Sequence, residues 1–225
     1  RGLRLHQGRQ AARHVGHGRQ AVAPHRVQRH QDRAVGAEDM AVAADAGRRD
    51  RDEDRPGAVC YRPTPELHAG LDRGALGNPE GYGRGVPMVY MLPKPKDRLR
   101  NAIYVSGAWQ AGEQYLTYQG LTEALIHVPY EAVEVNAVLT PYADMIDRIV
   151  HPEAVSVEVW QDDKPIDDSV KGADLTTDGR VLVDRPRMYN LIRNKGFEQH
   201  ELILRVKSRG FAMYAFSFTG CVKQD

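Results

Sequence analysis

Apolar residues in the second half of this chain recur at every second position. Val133, Val135, Ala137 and Leu139 alternate with Glu134, Asn136 and Val138; Val155, Val157 and Val159 alternate with Ser156, Glu158 and Trp160; Leu202, Leu204 and Val206 alternate with Ile203, Arg205 and Lys207. A period of two belongs to a strand with one face on a core, because successive side chains leave a pleated backbone on opposite sides. Shorter apolar runs at residues 102–106, 115–118, 124–128 and 180–183 predict further strands. Residues 211–218 are apolar or aromatic on both faces, which predicts a central strand. Asp178-Gly179 reads as a two-residue hairpin turn, and Asp162-Asp163 and Asn194-Lys195-Gly196 supply turn residues that tolerate positive φ. Residues 142–150 predict a short helix crossing the end of the fold, with Met145, Ile146 and Ile149 on its inner side. Short strands separated by turns over residues 100–225 predict an all-β fold, an antiparallel β-sandwich.

Composition divides the chain further. Residues 1–57 contain no aromatic side chain, no Ile and no Lys, and are dominated by Ala, Arg, His, Gln, Gly and Asp. Such a segment buries too little apolar surface to offset the entropy of ordering it, so a disordered segment is expected. GC-rich codons read out of frame also yield this mixture, so a frameshifted or mis-started gene model is a second expectation for it. Residues 58–99 are rich in Pro and Gly and read as a connector, either a linker or an irregular wrap with enough scattered Tyr, Leu and Val to lie against a neighbouring surface.

Charge narrows the partners. The formal charge is +1, so no overall field favours nucleic acid, and the arginines of the first 33 residues have no interleaved aromatic to stack a base. No run approaches the roughly 18 apolar residues of a membrane span, and the chain reads as soluble. Two cysteines, Cys60 and Cys221, stand 161 positions apart with no Cys-x-x-Cys, which excludes a redox pair of that kind and a four-cysteine zinc site. A small buried side chain is the expectation for Cys221, ahead of a disulfide.

Several stretches carry a resemblance. Thr64-Pro65-Glu66, Gly70, Asn78-Pro79-Glu80-Gly81-Tyr82 and Trp109-Gln110-Ala111-Gly112-Glu113-Gln114-Tyr115 are followed by residues 157–166, Arg187-Met188-Tyr189-Asn190-Leu191-Ile192, residues 200–206 and residues 210–218. In this order they resemble the region that follows the thioredoxin fold in DipZ-type and related redoxin proteins, a jelly-roll module often described as carbohydrate-binding-like. The resemblance implies a noncatalytic accessory module of a thiol-disulfide oxidoreductase, with an extracytoplasmic setting. The implied partners are a glycan, a protein substrate or a neighbouring thioredoxin domain. The position of that domain, ahead of Thr64, is held here by the biased segment, so no thiol chemistry is carried over. A structural sandwich that packs on a neighbour domain or forms a homo-oligomer is the alternative.

Candidate chemistry is sparse. Trp160 is the sharpest, since parity puts it outward beside Ser156 and Glu158, where an aromatic face could stack on a sugar ring. Cover by a linker segment is the competing reading and the favoured one. Trp109 and Tyr115 complete the ligand-binding candidates, with packing favoured for Trp109. Asp162, Asp163, Asp167, Asp168, Asp174 and Asp178 cluster in sequence but fit no EF-hand spacing, and turn residues are the better reading. His14-x-x-His17 with His6, His25 and His30 lacks a scaffold that would hold a metal. No serine or cysteine stands in a nucleophile motif, no glycine-rich stretch has a phosphate-loop setting, and no cofactor or catalytic residue is implied.

Overall fold

The computed structural model describes residues 58–223. The tail expected to be disordered and its histidines lie outside the described residues. Among the described residues there are thirteen strands: β1 (Ala58–Cys60), β2 (Leu67–His68), β3 (Met88–Tyr90), β4 (Tyr104–Val105), β5 (Gly107–Ala111), β6 (Leu116–Tyr118), β7 (Ala124–Thr140), β8 (Val155–Gln161), β9 (Lys164–Pro165), β10 (Arg180–Val183), β11 (Arg187–Val206), β12 (Ala212–Thr219) and β13 (Cys221–Lys223). A short helix, α1 (Met145–Val150), follows β7. Every ladder between these strands is antiparallel, as an all-β sandwich requires.

Two strands are far longer than the alternation predicted. The runs expected at 124–128 and 133–139 are one strand of 17 residues, and β11 covers 20. They pair along their whole length and serve both halves of the fold. The C-terminal half of β11 and the N-terminal half of β7 lie between β8 and β4, whereas the C-terminal half of β7 pairs with β12, which leads on through β6 and β5 to β3. A strand this long serves both halves by bending, and β-bulges are the usual device. Register shifts fall between Asn190 and Ile192 and between Arg193 and Glu198.

A buried asparagine pins each shift. Asn190 donates to Asn136 Oδ1 at 2.9 Å and accepts from the Ala173 amide at 2.8 Å. Asn194 donates to the Ala132 carbonyl and to Tyr130 Oη, and accepts from Gln161 Nε2. The expectation of a turn at Asn194-Lys195-Gly196 is therefore corrected: the chain bulges there and continues as the same strand. Asp162 and Asp163 do take positive φ, at 50° and 60°, in the tight β8–β9 turn, and Gly179 does so at 75°.

The Pro- and Gly-rich stretch wraps onto the sheet. Thr64 exchanges two hydrogen bonds with Glu131 of β7, one through its amide and one through Oγ1, each 2.9 Å. Leu67 and Ala69 are buried beside β12. Asn78 donates to the Met91 and Val105 carbonyls and accepts from the Val105 amide, tying the stretch to β4. Tyr82 Oη donates to the Ala69 carbonyl, and burial raises its phenol to about 12. Gly70 is needed for close approach, since a Cβ there would lie 2.2 Å from the Gln114 backbone.

Two further expectations are corrected. Cys60 and Cys221 form a disulfide, because β1 and β13 pair with these residues directly opposite each other. Sequence separation concealed what the pairing of the two terminal strands brings together, although Cys221 is buried as expected. In α1, Met145, Ile146 and Ile149 do not face inward but are 60, 68 and 73 % exposed. The segment before the helix makes the contact instead, with the Ala143 amide donating to the Gly210 carbonyl and Tyr142 set against Gly210.

Candidate functional site

The outer face of β8 is as the alternation predicted. Val155, Val157 and Val159 are buried, while Ser156 is exposed and Glu158 and Trp160 are half-buried. Charge pairs occupy this face. Arg180 donates to Glu158 at 3.0 Å and reaches Ser156 Oγ at 3.5 Å, and Arg205 donates to Glu123 at 2.7 Å. That hydrogen bond, against a smaller opposing effect of burial, holds the Glu123 carboxyl below its ordinary range. The Arg205 guanidinium sits 4.8 Å from the centre of the Trp160 ring, so a cation already covers one aromatic face.

Trp109 and Tyr115 are elsewhere. Trp109 is fully buried on β5, its Nε1 donating to the Ser106 carbonyl and its ring tilted against Tyr118 at 5.3 Å. Trp109 thus takes the packing role favoured for it and offers no surface to a ligand. Tyr115 is half-buried against Tyr214 just before β6, and β11, β7 and β12 separate β6 from β8 in the sheet order. The five candidates form no common site. The aspartates disperse likewise: Asp167 caps the turn at 168–170, Asp174 pairs with Arg187, and Asp178 accepts from Thr176. Among the described residues, no group of three or more His, Cys, Asp or Glu side chains could hold a metal.

One row along from Trp160, the same face carries a cluster that the alternation did not single out. Asp162, in the turn that follows Gln161, has its amide donating to the Glu201 carbonyl at 3.0 Å and its Oδ1 accepting from the Glu201 amide at 2.8 Å. Ile203 stands opposite both Trp160 and His127, which places Glu201, Ile203 and His127 on this face. Residues 95–101 lie across it. The Leu99 amide donates to Tyr104 Oη at 2.6 Å, Arg100 pairs with Glu131 at 3.1 Å, and Asn101 turns the chain into β4 with φ of 63°. Asn tolerates that left-handed conformation better than most residues.

Beneath this segment Arg98 is 6 % exposed at its side chain and hydrogen-bonds both Glu201 Oε1, at 2.9 Å, and His127 Nδ1. Glu201 Oε2 lies 3.2 Å from the same His127 nitrogen. A buried cation with its carboxylate is costly to separate, so the segment is clamped to the sheet. Arg98 Nε and His127 Nε2 are buried with no hydrogen-bond partner. At the rim His200 hydrogen-bonds Asp162 through Nδ1 at 2.6 Å and Glu198 through Nε2 at 3.0 Å. Burial depresses the imidazole, but the two carboxylates outweigh it and raise its pKa.

An open cleft of about 450 Å³ lies here, between Arg98, Leu99 and Arg100 on one side and Pro129, Asp162, His200 and Glu201 on the other. Its polar groups are planar, oriented by one another, and of both charge signs. They can offer paired hydrogen bonds to a polyhydroxylated or mixed-charge ligand.

A family model for the thioredoxin-like C-terminal domain matches residues 64–219, a span that begins at the Thr64 anchor and closes at the end of β12. The chain belongs to the thioredoxin-like C-terminal domain family. A comparison with curated proteins gives no match. This family makes the chain an accessory domain of a redox protein, and the matched span contains neither cysteine. The residues that carried the resemblance have structural duties in it. Thr64, Gly70, Asn78 and Tyr82 bind the N-terminal stretch to the sheet, Trp109 fills the core, and Asn190 holds a bulge. Among the described residues, no helix is long and apolar enough to cross a membrane.

Parity could have flagged His127 and Glu201 as outward polar residues, but only strand pairing shows that they meet. Arg98 had no signal, because its segment reads as a linker.

Proposed function

We propose that this domain is a noncatalytic accessory module of a DipZ-type redoxin and that it binds a glycan in the cleft beside Trp160. The observation that carries the reading is the set of mutually oriented planar side chains Arg98, Asp162, His200 and Glu201 lining an open cleft. Sugar hydroxyls are bound by such pairs, and a tryptophan one row away gives an apolar edge. The Cys60–Cys221 disulfide supports an oxidising, extracytoplasmic setting. A glycan array probed with the full chain tests it. His200→Ala and Arg100→Ala, both at the rim, are expected to weaken a hit at least tenfold while leaving the melting midpoint within a few degrees. Binding that both variants leave unchanged, or an array without any hit, would overturn the glycan reading.

A second reading has its own observation. In α1 the apolar residues Met145, Ile146, Ile149 and Val150 face solvent, a surface suited to docking a protein such as the neighbouring thioredoxin domain. Light scattering of the chain with and without Ile146→Ser/Ile149→Ser separates the alternatives, since self-association through this face would disappear in the variant.

A further inference from the structure

The Cys60–Cys221 bond joins the two ends of the domain, and its surroundings differ from those of a core disulfide. β1 and β13 form a two-stranded ribbon separate from the main sheet, with three residue pairs. Two-stranded ribbons are marginal by themselves. The two cysteines are also unequal, since Cys60 is exposed and Cys221 is 5 % exposed. We infer that this disulfide is a thiol-exchange site, with Cys60 Sγ as the attacked atom and a dithiol of thioredoxin type as the reactant. The inference does not depend on the glycan reading.

Exchange proceeds by a thiolate approaching one sulfur in line with the bond and expelling the other. Of the two cysteines, Cys60 is the one exposed to solvent, where such a thiolate would arrive. The partner's thiolate bonds to Cys60 Sγ, the Cys60–Cys221 bond breaks, and Cys221 leaves as a thiolate that takes a proton from water. The partner's second thiol, once deprotonated, then attacks its own sulfur in the mixed disulfide and releases Cys60. Two electrons and two protons pass from the dithiol to the cystine, and the partner leaves as a disulfide.

The folded domain tolerates this step. A bond spanning 161 residues constrains the unfolded chain strongly, but in the folded domain the same span is already closed by the sheet. Thr64 is held to Glu131 by two hydrogen bonds, so opening the cystine frees only the chain before it. What still holds the ribbon is its own short backbone ladder, the Tyr61 amide bond to the Gly220 carbonyl at 2.9 Å, and the stacking of Tyr61 on Phe197 at 4.9 Å. The cystine therefore acts as a latch, fixing the entering chain against the exit strand and releasing it on reduction.

The test uses the full chain in native buffer with a thioredoxin whose resolving cysteine is replaced by Ser, so that the mixed disulfide is trapped. Peptide mapping is expected to find the adduct on Cys60, at least tenfold over Cys221, with the melting transition of the sheet retained. Phe197→Ala, which removes the stacking partner of Tyr61, is expected to speed trapping severalfold without changing the site. No adduct under native conditions, an adduct chiefly on Cys221, or trapping only when the domain has unfolded would each overturn the inference. A glycan-array failure leaves these readouts untouched.

Discussion

The two tryptophans show how environment separates identical side chains. Trp109 is wholly enclosed, so Trp109→Ala should cost about 3 to 5 kcal/mol, the usual range for an aromatic removed from a core. Trp160 is half-buried under Arg205, so Trp160→Ala should cost about 1 to 2 kcal/mol, from partial burial plus a cation–π contact. Urea melts of the two variants give the comparison directly, and equal losses would mean that the outer face is as closed as the core. At the cleft rim, His200 faces Asp162, Glu198 and the Tyr130 ring. Its raised pKa means that the folded state binds this proton more tightly than the unfolded chain, whose imidazole titrates near ~6.5. The stabilisation is complete below that pH and is lost as pH rises through the elevated folded value. The melting midpoint of the wild type should therefore exceed that of His200→Gln at pH 5 to 6, with the gap closing by pH 9; a gap that widens with pH would reverse the assignment.

At the level of elements, the long strands β7 and β11 set the architecture, and the bulges at Asn190 and Asn194 let them serve both halves of the sheet. Alternation over residues 133–139 and 202–206 was legible because one face of each run meets the core. Continuity through Pro129 and through Lys195-Gly196 was not, because both read as breaks until cross-strand partners supply the hydrogen bonds. Helix α1 illustrates the opposite failure. Its apolar spacing predicted a buried face, yet the six-residue helix is too short to reach back over the sheet, and Tyr142 and Ala143 make the contact in its place. Ile146→Ser/Ile149→Ser should accordingly change stability by no more than about 0.5 kcal/mol, as at other exposed positions. A loss of several kcal/mol in a denaturant melt would place those side chains in a core.

Across the whole molecule, the disulfide adds a constraint that the sheet alone does not supply. Closing a loop of this length lowers the entropy of the unfolded chain by an amount worth roughly 5 kcal/mol on the chain-entropy model, an upper figure because unfolded chains retain structure. Cys60→Ser/Cys221→Ser should thus lower the thermal midpoint substantially while leaving the strand content seen by circular dichroism intact. A domain that failed to fold at all would show that the ribbon is needed to build the sheet rather than to latch it. The same topology predicts that residues 61–99 resist removal. Thr64, Leu67, Asn78 and Tyr90 are buried in it, so a protease-resistant core should begin no later than Thr64.

Alternation, turn residues and the doubly apolar run at 211–218 determined by themselves that this chain is an antiparallel β protein with β12 near the middle of its sheet. Those signals are local, since the parity of a strand is written into neighbouring positions. The resemblance carried by Thr64, Asn78, Trp109 and Asn190 was also legible, because each of those residues meets a specific packing or hydrogen-bonding demand. Only the tertiary structure decided that Cys60 meets Cys221, that Arg98 reaches His127 and Glu201, and that Trp160 lies under Arg205. Each of these contacts joins segments far apart in the chain, and their meeting depends on strand order and register, which no local pattern encodes.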